Sequence, residues 1–285
     1  MRVLIIGSSG SIGKHLTSFL NSSKKIKEVY AIDKKKDKQI PKKVKFKKLD
    51  LEYLKSDTKF SKKIDCAIIL GAIVNFKNLD PLEFHYKNMI IFYNSIKICN
   101  LNNIKKIIYL SSFAVYGDLN NSSISEKFNL NGNNIYSNLK IFQEQEIQKL
   151  STISNFEYCI LRLSQIYGAN IFTNIIYRFI DMKKKNEVVE INGDGSQKRD
   201  FLFIEDLIRA IYFSIIKFRG NSIFNVCTGI GTTLKEVVDI IGVKYLLNRK
   251  KIKEPKVVIG NNNKIKKALN WNIKFDVKKG IRKLI

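Results

Sequence analysis

Short, wholly or mostly apolar runs alternate along this chain with longer stretches in which apolar residues recur every three or four positions. Residues 2–6 (RVLII), 29–32 (VYAI), 66–70 (CAIIL), 106–110 (KIIYL) and 158–163 (YCILRL) are of the first kind. They read as strands buried on both faces. Residues 44–48 (VKFKK) form a shorter, more polar strand candidate. Residues 14–20, 85–99, 135–150 and 207–216 carry the helical pattern, with Asp206 placed to N-cap the last of them. Strands separated by helical segments imply right-handed crossovers and a doubly wound parallel sheet, hence an α/β fold. Ligands of such sheets bind beyond the carboxyl ends of the strands. Gly7, Asp33, Asp50, Gly71, Ser112 and Gln165 all fall at or just past expected strand ends, so they share one edge.

The first of those edges is rich in glycine. The run GSSGSIG at 7–13 joins the first strand to the first helix. Gly7 suits a tight turn, Gly10 lets backbone approach a pyrophosphate, and Gly13 lets helix and strand pack closely. The helix start then offers N–H groups and a positive dipole end to phosphates. Ser9, Ser11 and Ile12 lie within the same loop. The spacing is one residue wider at its start than the common dinucleotide fingerprint; taken alone it also describes an ordinary glycine-rich turn. Asp33 ends the second strand, 20 residues after Gly13. A carboxylate there accepts from ribose hydroxyls and repels a 2′-phosphate, which favours NAD over NADP. Lys34, Lys35 and Lys36 follow it and act against that preference.

A second constellation is catalytic in type. In YSNLK at 136–140, Tyr136 and Lys140 lie four apart and share one helix face. SSFAVYG at 111–117 puts Ser112 at the end of an upstream strand. A phenol that can lose its proton, a cation that favours the phenolate and a hydroxyl that holds an oxygen suit hydride and proton transfer at a sugar carbinol.

Composition changes little. At 285 residues the chain suffices for one large core and a small second lobe. Its formal charge is +26. Lysine doublets and triplets are spread from Lys24-Lys25 through Lys183–185 and Lys250-Lys251 to Lys278-Lys279, together with heavy use of Asn and Ile. That scatter favours a solvated surface over a nucleic-acid site. Cys66, Cys99, Cys159 and Cys227 are far apart and sit mostly in apolar runs, which points to buried thiols and no metal site. His15 and His85 lack ligand spacing. No apolar stretch is long enough for a membrane span, and the chain opens directly on a strand, so a cytoplasmic protein without a leader is expected.

These motifs together resemble the extended short-chain dehydrogenase/reductase family, in its NAD-dependent epimerase/dehydratase branch acting on nucleotide sugars. The resemblance spans nearly the whole chain. Besides the segments above it includes Asp50-Leu51, Asp80-Pro81, Asn88, residues 162–168, residues 193–201 (GDGSQKRDF), Glu205-Asp206 and residues 225–229. It implies a Rossmann-type domain over 1–168, with a returning segment near 200–228, and a discontinuous C-terminal substrate-binding lobe over 169–285. It also implies Asp50 and Leu51 near the adenine, Leu70, Gly71 and Ala72 along the dinucleotide, and Asn88 behind the adjacent loop. Tyr136 would touch both cofactor and substrate, Lys140 the nicotinamide ribose, and Ser112 the substrate. Arg199 would contact the nucleotide part of the substrate, and a homodimer is usual.

Two departures from the family pattern matter. Gln165 stands where an Asn is common, so its side-chain reach toward the sugar differs. Phe113 and Ala114 stand where dehydrating relatives carry an Asp and a Glu, and neither is an acid or a base. The expected activity is therefore C4 epimerisation of a UDP-hexose through a 4-keto sugar. The alternatives are an NAD(P)H-dependent 4-keto-6-deoxy sugar reductase and a non-catalytic NAD-binding protein.

Overall fold

The computed structural model describes residues 1–54, 57–74, 79–248 and 255–285; Lys250-Lys251 lie outside them. Its centre is a seven-stranded sheet. In spatial order the strands are Ser222–Val226, Glu157–Leu163, Lys106–Ser112, Cys66–Ile69, Arg2–Ile6, Glu28–Asp33 and Lys45–Lys48. Every pairing among them is parallel. The fold is Rossmann-type, and the expected α/β class holds.

The apolar strands owe their composition to burial on both sides. Val3, Ile5 and Ile68 join one hydrophobic cluster. Their neighbours Leu4, Ile6 and Ile69 join another on the opposite face, as the two-residue side-chain period requires. The edge strand Lys45–Lys48 is mostly exposed. Its lysines discourage pairing with another chain.

Helices Ser11–Asn21, Pro81–Leu101, Ile135–Ser154 and Ile204–Lys217 flank the sheet. Pro81–Leu101 starts where sequence dictates: Asp80 accepts from the N–H groups of Leu82 and Glu83, and Pro81 opens the helix. The expectation for Asp206 is corrected. The helix begins three residues earlier than expected, at Ile204, and Asp206 lies in its first turn. Its buried carboxylate accepts from the backbone N–H groups of Lys274 (2.9 Å) and Phe275 (2.9 Å) and pairs with Arg209. It anchors the C-terminal segment, whose fully buried Trp271 donates to Asp206 O.

A four-stranded sheet lies beside the main one, in the order Thr232–Thr233, Lys198–Arg199, Val257–Gly260, Asn121–Ile124. Asn121–Ile124 leaves the first half of the chain to join it, while Ser222–Val226 returns to the main sheet. All four cysteines are buried and free. No described helix is long and apolar enough to cross a membrane.

Candidate active site

The glycine loop is shaped by its contacts. Gly7 has φ +87°, and a Cβ there would come within 2.6 Å of Gly71 N. A Cβ on Gly13 would come within 2.2 Å of Gly7 O. Both glycines are therefore required by close backbone approach. At Gly10 an added Cβ meets only Gly7 O, at 3.4 Å, so the loop stays open on that side. Gly10 N-caps the first helix without a side-chain hydrogen bond. Ser11 and Ile12 form the first turn, whose N–H groups have no partners within the helix.

A crevice of about 800 Å³ opens from this loop. Of the expected cofactor residues it takes Gly7, Ser9, Gly10, Asp33, Asp50, Leu51, Leu70, Gly71 and Ala72. Ser11, Ile12, Gly13, Tyr136 and Lys140 do not line it. Asp33 is fixed at its lip by the Ser9 N–H, which donates to Oδ2 at 2.9 Å. The Ser9 hydroxyl donates to Lys35 O at 2.5 Å, and Lys14 pairs with Asp37 at 3.2 Å. These contacts fold residues 34–39 over the Asp33 side of the crevice, a lining that sequence reading missed apart from the three lysines. Asp50 N-caps a short 3-10 turn, and its Oδ1 accepts from Glu52 N at 3.0 Å. Asn88 is buried, with Oδ1 accepting from Ile73 N at 2.9 Å and Nδ2 donating to Phe84 O at 2.9 Å. It braces the loop from behind and does not line the crevice.

Ser112, Tyr136 and Lys140 gather at the carboxyl end of the strand Lys106–Ser112. Asn134 begins the helix Ile135–Ser154 with a capping box: its side chain accepts from Ser137 N, and the Ser137 hydroxyl accepts from Asn134 N. Tyr136 is thereby held in the first turn, at the positive end of the helix. Its phenol contacts Ser112. Burial raises its pKa and the Ser112 hydrogen bond opposes that rise. Ser112 Oγ accepts from Ala114 N at 3.1 Å, which leaves the Ser112 proton to donate outward. Lys140 lies one turn along the helix. Its Nζ donates to Tyr109 Oη at 2.8 Å and to Leu110 O at 3.0 Å. Burial lowers its pKa from 10.5 to about 8, against the nearby Glu144 carboxylate, which raises it. Glu144 itself is fully buried and is clasped by Arg162 at 2.7 Å.

The other two expected substrate residues, Gln165 and Arg199, lie on separate short strands. Gln165 is exposed on the short strand Gln165–Tyr167. Arg199 is 8% exposed on Lys198–Arg199, where it donates to Lys198 O at 3.0 Å. Phe113 turns into the small-lobe cluster with Tyr116, Ile124 and Cys227. A Cβ on Gly260 would come within 2.5 Å of its ring.

The model of the NAD dependent epimerase/dehydratase family matches residues 3–227. The chain belongs to that family. Among its relatives, a Methanocaldococcus jannaschii protein named "Putative UDP-glucose 4-epimerase" is 28% identical over 99% of this chain and 97% of its own. The dTDP-D-glucose 4,6-dehydratase of Dictyostelium discoideum is also 28% identical, over 80% of this chain and 58% of its own. Among solved structures, the UDP-glucuronic acid 4-epimerase of Bacillus cereus in complex with NAD has a TM-score of 0.84. It is 20% identical and covers 99% of this chain and 96% of its own, a likeness of fold. The family's cofactor is NAD, and the open glycine loop, helix start and Asp33 fit a dinucleotide.

Proposed function

We propose that this chain is a nucleotide-sugar epimerase that inverts C4 of a UDP-hexose through a 4-keto sugar. One observation carries the reading. The Ser112 and Tyr136 hydroxyls face each other beside Lys140, at the strand end next to the glycine crevice, while Phe113 and Ala114 replace the acids of a dehydratase.

The groups divide the work by chemistry. Tyr136 Oη takes the proton of the sugar hydroxyl and returns it to the same oxygen after the ring has turned over. Ser112 donates to that oxygen as it becomes a carbonyl and holds the carbon in place. Lys140 places a cation where it favours the phenolate. Gly7, Gly10 and the first helix turn would hold the pyrophosphate, with Asp33 on the adenosine ribose. Bound NAD supplies the hydride acceptor and donor, together with a positive ring charge. Gln165 and Arg199 would meet the sugar and the nucleotide from the smaller lobe. Exposed Tyr86, Tyr93, Phe142 and Ile153 on helices Pro81–Leu101 and Ile135–Ser154 support a homodimer through that face.

The product decides between reaction types. UDP- and dTDP-hexoses are incubated with enzyme and NAD in heavy water and followed by NMR. Interconversion at C4 without solvent label is expected. A 4-keto-6-deoxy sugar carrying solvent deuterium at C5 would reverse the assignment, because elimination needs a proton donor and acceptor that Phe113 and Ala114 lack.

Cofactor choice is tested at Asp33. Tighter binding of NADH than of NADPH is expected, since the carboxylate repels a 2′-phosphate. Asp33→Ala should narrow the ratio of dissociation constants about tenfold. An unchanged ratio would mean that Lys34, Lys35 and Lys36, which also line the crevice, govern the choice.

A further inference from the structure

The Lys140 ammonium is built into the floor of the site. Besides its bonds to Tyr109 Oη (2.8 Å) and Leu110 O (3.0 Å), Nζ sits 4.6 Å from the centroid of the Tyr109 ring. An ammonium carries three N–H donors, and these two bonds use two of them. Tyr109 is 2% exposed, and its hydroxyl donates to Gln143 Oε1. With its single proton committed there, the hydroxyl faces Lys140 only as an acceptor. Gln143 is 3% exposed and is oriented in turn, with Nε2 donating to Asn88 O at 3.3 Å. Asn88 holds the Ile73 N–H at 2.9 Å. The direction of every bond is thus set from the cofactor-side loop down to the lysine.

The charged and titratable groups around Nζ come from three elements. Its own helix supplies Tyr136 and Glu144, the strand Lys106–Ser112 supplies Tyr109, and the strand Glu157–Leu163 supplies Arg162. Arg162 Nη2 and Nε spend their hydrogen bonds on Glu144, at 2.7 to 3.2 Å. The neutral Tyr109 oxygen is therefore the side-chain acceptor in direct contact with the ammonium.

We propose that Tyr109 and Gln143 are positioning residues: Gln143 locks the Tyr109 hydroxyl as an acceptor, and Tyr109 holds the Lys140 ammonium beside Tyr136. The proposal rests on the role given to Lys140 under Proposed function. Burial alone draws the lysine toward its neutral form. An oxygen that accepts from the ammonium opposes this, because it stabilises the charged form. Removing that oxygen should let the lysine lose its proton at lower pH.

The test uses cofactor-free protein. Denaturant unfolding is followed across pH for wild type and Lys140→Met, and for the same pair in a Tyr109→Phe background. The stability difference within each pair isolates the titration of Lys140. Tyr109→Phe should move the pH at which that difference begins to close downward by about one unit. Gln143→Leu, which leaves the ring in place and frees its hydroxyl, should move it the same way by less, and it reads the same effect if Tyr109→Phe fails to fold. A packing role would lower both members of each pair equally and leave that pH unmoved, which overturns the proposal. In NAD-loaded enzyme the alkaline limb of kcat should follow the same shift with KM unchanged. A moved stability window with an unmoved alkaline limb would uphold the positioning pair and overturn the role of Lys140 in turnover.

Discussion

Tyr136→Phe should lower turnover at least about a hundredfold, or about 3 kcal/mol of transition-state stabilisation, while NAD binding stays nearly intact. The ring fits the same space, so helix and crevice are preserved. What disappears is the oxygen that the proposed mechanism uses to take the proton of the sugar hydroxyl. In the cofactor-free protein burial raises the Tyr136 pKa and so disfavours the phenolate. Lys140 and a nicotinamide cation must therefore both act to free the proton. The variant isolates that step: the dissociation constant for NAD, measured by calorimetry, reports the crevice, and the rate of C4 interconversion reports the phenol. Turnover close to wild type would remove Tyr136 from the mechanism. Loss of NAD binding with loss of turnover would instead place the ring in the cofactor cradle.

The parts of this architecture that sequence makes legible are those set by local rules. Residues 2–6 had to be a buried strand because nothing in RVLII past the arginine tolerates water. Gly7 and Gly13 were readable because a turn between strand and helix leaves no room for a Cβ, and the structure finds backbone at 2.6 and 2.2 Å from those positions. Tyr136 and Lys140 were readable because four residues make one helical turn. Contacts across the fold were hidden. Tyr109 reads as one more apolar position of a strand, yet its hydroxyl meets Gln143 and Lys140, more than 30 residues away. The buried pairing of Arg162 on a strand with Glu144 on a helix leaves no local mark in the sequence. Asp206 resembled a cap because it stands near a helix start, but its partners lie 68 and 69 residues on. The smaller sheet was illegible for another reason. Its strands run two to four residues, too short for any period to register.

Lys140→Met should make the cofactor-free protein more stable at neutral pH while lowering turnover at least about a hundredfold. The lysine is buried, and its pKa falls from 10.5 to about 8. Below pH 8 it is charged in both folded and unfolded chains, and the fold bears the cost of burying that charge. Between about 8 and 10.5 the folded chain releases the proton and the unfolded chain keeps it. The unfolded state then binds more protons, so stability rises with pH across that window. The shift corresponds to about 3 kcal/mol. Methionine fills similar space without the charge, but it withdraws donors from Tyr109 and Leu110, at about 1 kcal/mol each. A net gain of about 1 kcal/mol at pH 7 is expected, or roughly 2 °C in Tm. The advantage should shrink as pH rises from 8 and reverse as it approaches 10.5, where the wild-type lysine is neutral and the donor bonds alone distinguish the two proteins. Thermal unfolding of both at a series of pH values reads this directly. Equal stability of the two proteins at every pH would mean that water reaches the lysine, and that its charge is not held in reserve for the phenolate. A gain below pH 8 that fades above it, with activity lost throughout, would identify Lys140 as a group kept at a cost to the fold for the chemistry at Tyr136.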